Sequence, residues 1–491
     1  MDFKEFKDIF IENEKKININ IEEENIEKFY QYMKTNKLTV LLIHPEISRT
    51  KYNFVGIIEN ECLELEYISA LLKEKGHNVE IYDGQVEKKT VTTKIKECNP
   101  DIVYVCGRTR QENFILEYCN EAKKHSKEII TIIGGLHAQL CYERMYKDFV
   151  DYILTTFDIY IILDIIDYHF SDKKVNLDNI EGICYKKDNS WIKNKQCAFD
   201  INKLPLPDRT YFYEHPKNYR YLELEHSAWV RTAYCCPYAC KFCHRNKMNM
   251  GQYVCRDIKD VVEEIECIKS DNIYIVDDDF LFNKDRLYEF IKLIREKNIK
   301  KRYICYGRSD FIAKNEELMS ELKDIGLYYV LVGLEAINDN QLIDYNKNSN
   351  VTNNVKSIEI CNKLGINIMG MFIVDLDYTL KDFKILYKWI KNHNLKHIAI
   401  SIFTPEMGIE TYEMYKDRLI TDNPSHWDYL HLVAKPTKMS VKRYYFNYYK
   451  LLIKLFLKAK REGVYDFIDY GDYIMSFIKN IFKTKRSNDD E

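Results

Sequence analysis

The chain of 491 residues contains no run of about eighteen uncharged apolar residues, so no membrane-spanning helix is expected. Its opening, Met1-Asp-Phe-Lys-Glu-Phe-Lys, is charged throughout and lacks the apolar core of a secretory signal. Neither sign of charge dominates. Its 73 Lys and Arg stand against 76 Asp and Glu, for a formal net charge of −3, which gives no reason to expect a nucleic-acid partner. The 15 cysteines show no regular spacing. Without a signal, that pattern is expected of reduced thiols in a cytoplasm, most of them serving as small buried hydrophobes. With 46% hydrophobic residues, the chain can bury sizeable cores, and its length suggests two or three domains.

Against this background one stretch stands out, Cys236-Pro-Tyr-Ala-Cys240-Lys-Phe-Cys243, with thiols at spacing C-x3-C-x2-C. A loop this tight can turn three thiolates toward one point, and thiolates are the soft ligands of iron–sulfur clusters. A cubane cluster has four irons, so three cysteines leave one iron open to a small chelating molecule that can receive an electron. Cys235 and His244 flank the motif and keep a structural zinc site conceivable. Zinc ribbons, however, use two separated ligand pairs, and no second C-x2-C pair follows.

Two regions alternate strand and helix. In the first, apolar strand-like runs at 38–43, 79–82, 101–106, 129–133 and 152–154 are separated by helix-length segments, which argues for a parallel sheet covered on both faces. Ligands of such sheets bind beyond the carboxyl ends of the strands. Here those ends are His44-Pro-Glu, Asp83, Gly107-Arg-Thr and Gly134-Gly-Leu-His137. A short hairpin over 180–199 and a linker marked by Pro205 and Pro207 lead into the second region. There, six strands are expected at 226–231, 273–276, 302–307, 328–334, 367–374 and 397–402, each but the last followed by a helix.

The three-cysteine loop resembles that of the radical S-adenosylmethionine (SAM) superfamily. Together with Gly134-Gly-Leu-His-Ala, Val150-Asp-Tyr and Leu204-Pro-Leu-Pro-Asp-Arg209, the chain resembles the cobalamin-binding members of that superfamily over residues 38 to about 415. The resemblance implies an α/β architecture. An N-terminal extension (1–36) precedes a Rossmann-like, flavodoxin-like cobalamin-binding domain (37–170), followed by a hairpin and linker (171–222). A partial (β/α)6 radical SAM barrel (223–415) and a helical C-terminal region (416–491) complete the chain. It also implies a [4Fe-4S] cluster on Cys236, Cys240 and Cys243, SAM on the open iron, and one-electron cleavage of SAM to a 5′-deoxyadenosyl radical. Phe242 would lie against the adenine, and Asp278, within Asp277-Asp-Asp-Phe280, would border the methionine end. Arg308 would take the SAM carboxylate and Glu335 the ribose diol. Gly134 and Gly135 would border the nucleotide tail of the corrinoid.

The implied activity is C-methylation of an unactivated carbon, with methyl transfer from methylcobalamin and replenishment by a second SAM. The alternative is a rearrangement or cyclisation with cobalamin bound and no methyl transfer. A non-catalytic corrinoid or zinc scaffold is the reading from another class. The N-terminal half has no cysteine trio for a second cluster, which argues against a methylthiotransferase. The expected partners are a small-molecule, lipid or peptide substrate and an external electron donor such as flavodoxin or ferredoxin, in the cytoplasm. The chain departs from the resemblance at several points. It has no Asp-x-His-x-x-Gly motif for a lower axial histidine, the loop after the third strand is the bulky Gly107-Arg108-Thr109-Arg110, and Asp375 stands where a glycine is common. In the tail, His431 and Trp427 are candidate pocket residues, and Tyr, Phe and Leu interleaved with lysines are compatible with a membrane surface.

Overall fold

The computed structural model describes residues 37–47 and 58–468. The extension expected over 1–36 and the part of the C-terminal region beyond 468 lie outside the described residues. Strands β1 (Thr39–His44), β2 (Asn78–Asp83), β3 (Ile102–Cys106), β4 (Ile130–Gly134) and β5 (Tyr152–Leu154) form a parallel sheet in the order β2-β1-β3-β4-β5. Along β1, Val40 and Leu42 enter the core against helices α1 (Leu63–Glu74) and α5 (Ile161–Phe170). Leu41 and Ile43 enter the opposite core against α2 (Val91–Cys98) and α3 (Glu112–His125). Helices cover both faces, which is why these strands read as unbroken apolar runs rather than alternations. The remaining helix, α4 (Leu136–Cys141), starts directly after β4. The hairpin β6 (Ile183–Lys187) and β7 (Ser190–Lys193), placed with the linker by the sequence, pairs antiparallel with β5 and extends this first sheet.

A second sheet has six parallel strands in chain order. These are β8 (Ser227–Val230), β9 (Asn272–Ile275), β10 (Arg302–Gly307), β11 (Leu327–Glu335), β12 (Asn367–Val374) and β13 (His397–Ile402). The helices between them are α6 (Ile258–Cys267), α7 (Lys284–Glu296), α8 (Glu316–Asp324), α9 (Val351–Leu364) and α10 (Leu380–Asn392). Asn283 caps α7 and Asn350 caps α9 by accepting backbone N–H groups of the first turn, so these two helix starts have a local chemical cause. The C-terminal region is less helical than expected. Between short turns at Lys416–Arg418 and Pro424–His426 it is mostly irregular, and only α11 (Val441–Arg461) is long. That helix packs on α10 and β13, inserting Tyr444, Tyr448, Leu451 and Leu455 into the core of the second unit.

The linker residues that carried the resemblance have a structural task. Asp208 accepts hydrogen bonds from Ser69 and Lys73 of α1, both at 2.6 Å. Arg209 is buried and donates to Glu61, to Glu264 of α6 at 2.7 Å, and to the carbonyl of Trp229 in β8 at 2.7 Å. One guanidinium thus joins the first unit to the first strand and first helix of the second. The neighbouring carboxylates outweigh its burial and hold its proton more firmly than usual. Removing one member of such a buried network strands the others. An Arg209→Ala chain is expected to lose about 3–5 kcal/mol of stability in urea unfolding, whereas a loss near zero would show that Arg209 does not hold the two units together.

Candidate active site

The segment carrying Cys236, Cys240 and Cys243 has no regular secondary structure, so its shape must come from what grips it. At its entry the buried carboxylate of Asp277, just past β9, accepts the backbone N–H of Thr232 at 2.7 Å and of Ala233 at 2.9 Å, and the Thr232 hydroxyl. A short antiparallel pair, Ala233–Tyr234 with Val254–Cys255, clamps the two ends of the excursion. In the middle, Asn346 donates to the Ala239 carbonyl at 2.7 Å, Lys241 N–H donates to the Tyr345 carbonyl at 3.0 Å, and Thr411 donates to the Lys241 carbonyl. The Arg308 guanidinium lies 3.7 Å from the centroid of the Tyr238 ring. Cys235, inside this loop, takes a left-handed backbone conformation (φ +68°), which turns the chain into the motif.

The three thiols are partly exposed, and burial pushes Cys236 and Cys243 up to about 12. They become good ligands only when a cation replaces the protons. Among the described residues no group of three His, Cys, Asp or Glu side chains is placed to hold a single metal ion. A cluster, which spreads its ligands over separate irons, suits this donor set better.

The other expected residues gather at the carboxyl ends of the barrel strands, in distinct states. Asp278 faces Arg245, 3.4 Å from its Nε. Asp279 is buried, and neither of its carboxylate oxygens has a hydrogen-bond partner among the described residues. Burial pushes it up to about 7, although Arg308 and Lys347 pull the other way. Arg308 is itself engaged, donating to Asp310 at 2.9 Å and to the carbonyls of Lys347 and Asn348. Glu335 ends β11 with a left-handed backbone (φ +59°) and a break in register, and pairs with Lys347 at 2.8 Å, both side chains being nearly buried. Phe242 packs edge-on against Tyr345. Asp375 accepts a hydrogen bond from the Asp377 N–H at 2.8 Å, closing a local turn just past β12.

A cavity opens between this mouth and the carboxyl ends of the first sheet. His44, Gln85, Gly107, Arg108 and Arg110 line one wall, and Trp229, Arg231 and Tyr234 line the other. Burial, and next to it the charge of Arg245, lower the pKa of Arg108. Burial followed by Arg245, Arg108 and His137 pushes His244 down to about 3. The loop after β3 therefore lies near enough to His244 and Arg245 for Arg108 to interact with both electrostatically. Gly134 and Gly135 are required by internal packing. A Cβ on Gly134 would strike the Tyr104 hydroxyl, and one on Gly135 (φ +87°) would come within 3.1 Å of Gly107 N. His137 is buried and bonded to Glu112 at 2.6 Å and Thr109 at 3.2 Å, and Arg144 completes the set on Glu112. Its place in the Gly-Gly-Leu-His stretch is thus structural. His44 is likewise held, by Asp83 at 3.2 Å. His431 pairs with Asp428, and Trp427 is buried with its indole on the Pro405 carbonyl.

Comparison with known proteins agrees with this layout. The B12 binding domain model matches residues 60–158 and the Radical SAM superfamily model matches residues 230–390. The chain is 23% identical over 420 residues to the hopanoid C-3 methylase of Methylococcus capsulatus, covering 83% of this chain and 78% of that protein. It is 22% identical over 389 residues to the anaerobic magnesium-protoporphyrin IX monomethyl ester cyclase of Cereibacter sphaeroides, covering 76% of this chain and 63% of that one. Its fold is similar to that of the cobalamin-dependent S-adenosylmethionine radical enzyme OxsB, solved with aqua-cobalamin and S-adenosylmethionine bound. The TM-score is 0.63 at 19% identity, over 82% of this chain and 57% of that one.

Two outcomes follow from the mouth of the barrel. At pH 8 the unpartnered Asp279 is held ionised at a cost, and below about pH 4 folded and unfolded chains are both protonated there, so the cost vanishes. In chains matched for cluster content, Asp279→Asn should therefore raise stability by up to about 4 kcal/mol at pH 8 and leave it unchanged near pH 4, read from urea midpoints. The opposite trend would show that Asp279 is well solvated or paired. Asp277→Ala should release the entry of the cysteine loop, lowering retained iron several-fold while the far-ultraviolet spectrum stays unchanged.

Proposed function

Because the chain belongs to the radical SAM enzymes that carry a B12-binding domain, we propose that it is a C-methyltransferase acting on an unactivated carbon. The observation that carries this reading is the cavity shared by the two units, in which the loop after β3 lies opposite Trp229, Arg231 and Tyr234 at the entry to the cysteine loop. When bound, the cluster would supply an electron to SAM, and the corrinoid would supply a methyl group.

The residues of this chain divide the remaining work. Cys236, Cys240 and Cys243 would hold the cluster, with an external donor of the flavodoxin or ferredoxin kind as the source of electrons. Asp279, rather than Asp278, suits the ammonium of the methionine moiety, since its buried oxygens lack partners whereas Asp278 is turned to Arg245. Arg308 braces Tyr238 and can offer a carboxylate only the capacity left by its protein partners. Glu335 keeps one oxygen beyond its pair with Lys347, enough to accept from a ribose hydroxyl. Phe242 presents an aromatic surface beside Cys243 for the adenine. Gly107, Gly134 and Gly135 allow β3 and β4 to end close together, forming a floor on which the corrinoid would rest. Arg108, Arg110 and Arg231 line the cavity together with Glu61 and Glu64, so it offers a substrate both cationic and anionic partners.

A second reading, rearrangement or cyclisation without methyl transfer, is supported by the likeness to the magnesium-protoporphyrin IX monomethyl ester cyclase at similar identity and coverage. The two are separated with SAM labelled by deuterium in its methyl group. Small-molecule extracts are incubated anaerobically with the loaded enzyme and a reductant, and compared with the Cys236→Ala, Cys240→Ala, Cys243→Ala triple variant. Methyl transfer predicts a product that carries the label and is absent with the variant. A new product without label, accompanied by 5′-deoxyadenosine, would replace the methyltransferase reading with the second one.

A further inference from the structure

Helix α11 is 21 residues long and carries seven Lys or Arg with no Asp or Glu, in a chain whose net charge is −3. Its two sides differ sharply. Tyr444, Tyr448, Leu451 and Leu455 are buried against the barrel. On the opposite side Phe446, Ile453 and Leu457 are 66%, 59% and 44% exposed. Spacings of seven and four residues put these three on one line along the helix. Lys442, Lys450 and Lys454 follow the same face at steps of four or eight and are all exposed. The ammonium of Lys450 lies 5.9 Å from the Phe446 ring, so apolar and cationic groups are interleaved rather than segregated.

The neighbouring helix continues the pattern. α10 packs beside α11, and the Lys454 ammonium sits 5.1 Å from the ring of Tyr387 in α10. Lys381, Lys384, Lys388 and Lys391 form an exposed stripe along α10, with Ile385 also 43% exposed. The one acid of that helix, Asp382, is turned back to cap Thr379. A soluble protein that covers a helix with long apolar side chains and excludes every carboxylate from it forgoes the ion pairs that usually solvate an exposed helix. Among the described residues no helix is long and apolar enough to cross a membrane.

We propose that the joint outer face of α10 and α11 docks on an anionic lipid bilayer, with Phe446, Ile453 and Leu457 entering the acyl boundary and the lysines meeting lipid phosphates. The chemistry selects this occupant. An apolar ridge with flanking cations matches both layers of a membrane interface, whereas a nucleic acid backbone would use the cations and leave the ridge in water. A second copy of the same face would oppose cation to cation. The inference concerns where the enzyme works and is independent of which reaction it performs.

The test is flotation of the full, cluster-loaded chain with extruded phosphatidylcholine vesicles, either pure or containing about a third phosphatidylglycerol. Binding is expected only with the anionic vesicles and should weaken as salt rises. The Phe446→Ser, Ile453→Ser, Leu457→Ser variant and the Lys442→Glu, Lys450→Glu, Lys454→Glu variant should each reduce binding by about tenfold or more, with iron content and thermal melting unchanged. Full-length chain that never floats, or variants that float like the unmodified chain, would overturn the proposal. So would binding to duplex DNA in place of vesicles, or a concentration-dependent dimer lost in the same variants.

Discussion

A cluster held by three thiols demands that a loop without helix or strand keep a fixed shape, and the buried carboxylate of Asp277 is where that demand is first met. It takes two backbone N–H groups and a hydroxyl at the start of the loop. A carboxylate serving several donors at once acts as a rigid cross-link in a way that a single bond cannot. Everything downstream depends on it, because the Ala233–Tyr234 pairing and the left-handed turn at Cys235 follow within three residues. The later anchors, Asn346, Tyr345, Arg308 and Thr411, then fix the loop from the far side of the barrel. Five different strand or loop segments thus converge on the stretch from Thr232 to Lys241, which explains why the cysteine motif needs a whole barrel around it.

The same economy joins the two units. Arg209 bridges Glu61, Glu264 and the Trp229 carbonyl, and Tyr219 donates to the buried Asp83 at the end of β2 at 3.0 Å. Phe157 stacks on Tyr234 with ring centroids 4.0 Å apart, so the first unit touches the very residue that precedes the cysteine loop. These contacts set the width of the cavity between the sheets. Within it, Arg108 is held charged at a cost, first of burial and then of the nearby Arg245, that an anionic ligand would relieve. At the barrel mouth the buried Asp279, whose oxygens have no hydrogen-bond partner among the described residues, suits a cationic group of a ligand.

Much of this was legible in the sequence, for identifiable reasons. Strands covered on both faces are unbroken apolar runs, so five parallel strands of the first sheet and six of the second could be placed to within a residue or two. Arg308 and Glu335 could be placed at strand ends because they follow such runs directly. The sequence could not rank Asp277, Asp278 and Asp279, since three adjacent acids differ only in the direction each side chain takes. Lys347 escaped notice because it reaches Glu335 from a loop twelve residues away. The Gly-Gly-Leu-His stretch suggested ligand approach, but its glycines answer to Tyr104 and Gly107, and its histidine to Glu112. Such partners are long-range and leave no local pattern. The hairpin at 183–193 was misplaced for a similar reason, as antiparallel pairing to β5 is not written in its own residues.

The account stands or falls on whether the two units carry their cofactors together. The direct measurement is iron, sulfide and cobalt content after anaerobic purification with cobalamin supplied, on the unmodified chain and on the triple cysteine-to-alanine variant. About four irons, matching sulfide and one cobalt per chain are expected, with iron and sulfide lost and cobalt kept in the variant. Zinc without sulfide, or iron that survives loss of all three cysteines, would contradict it.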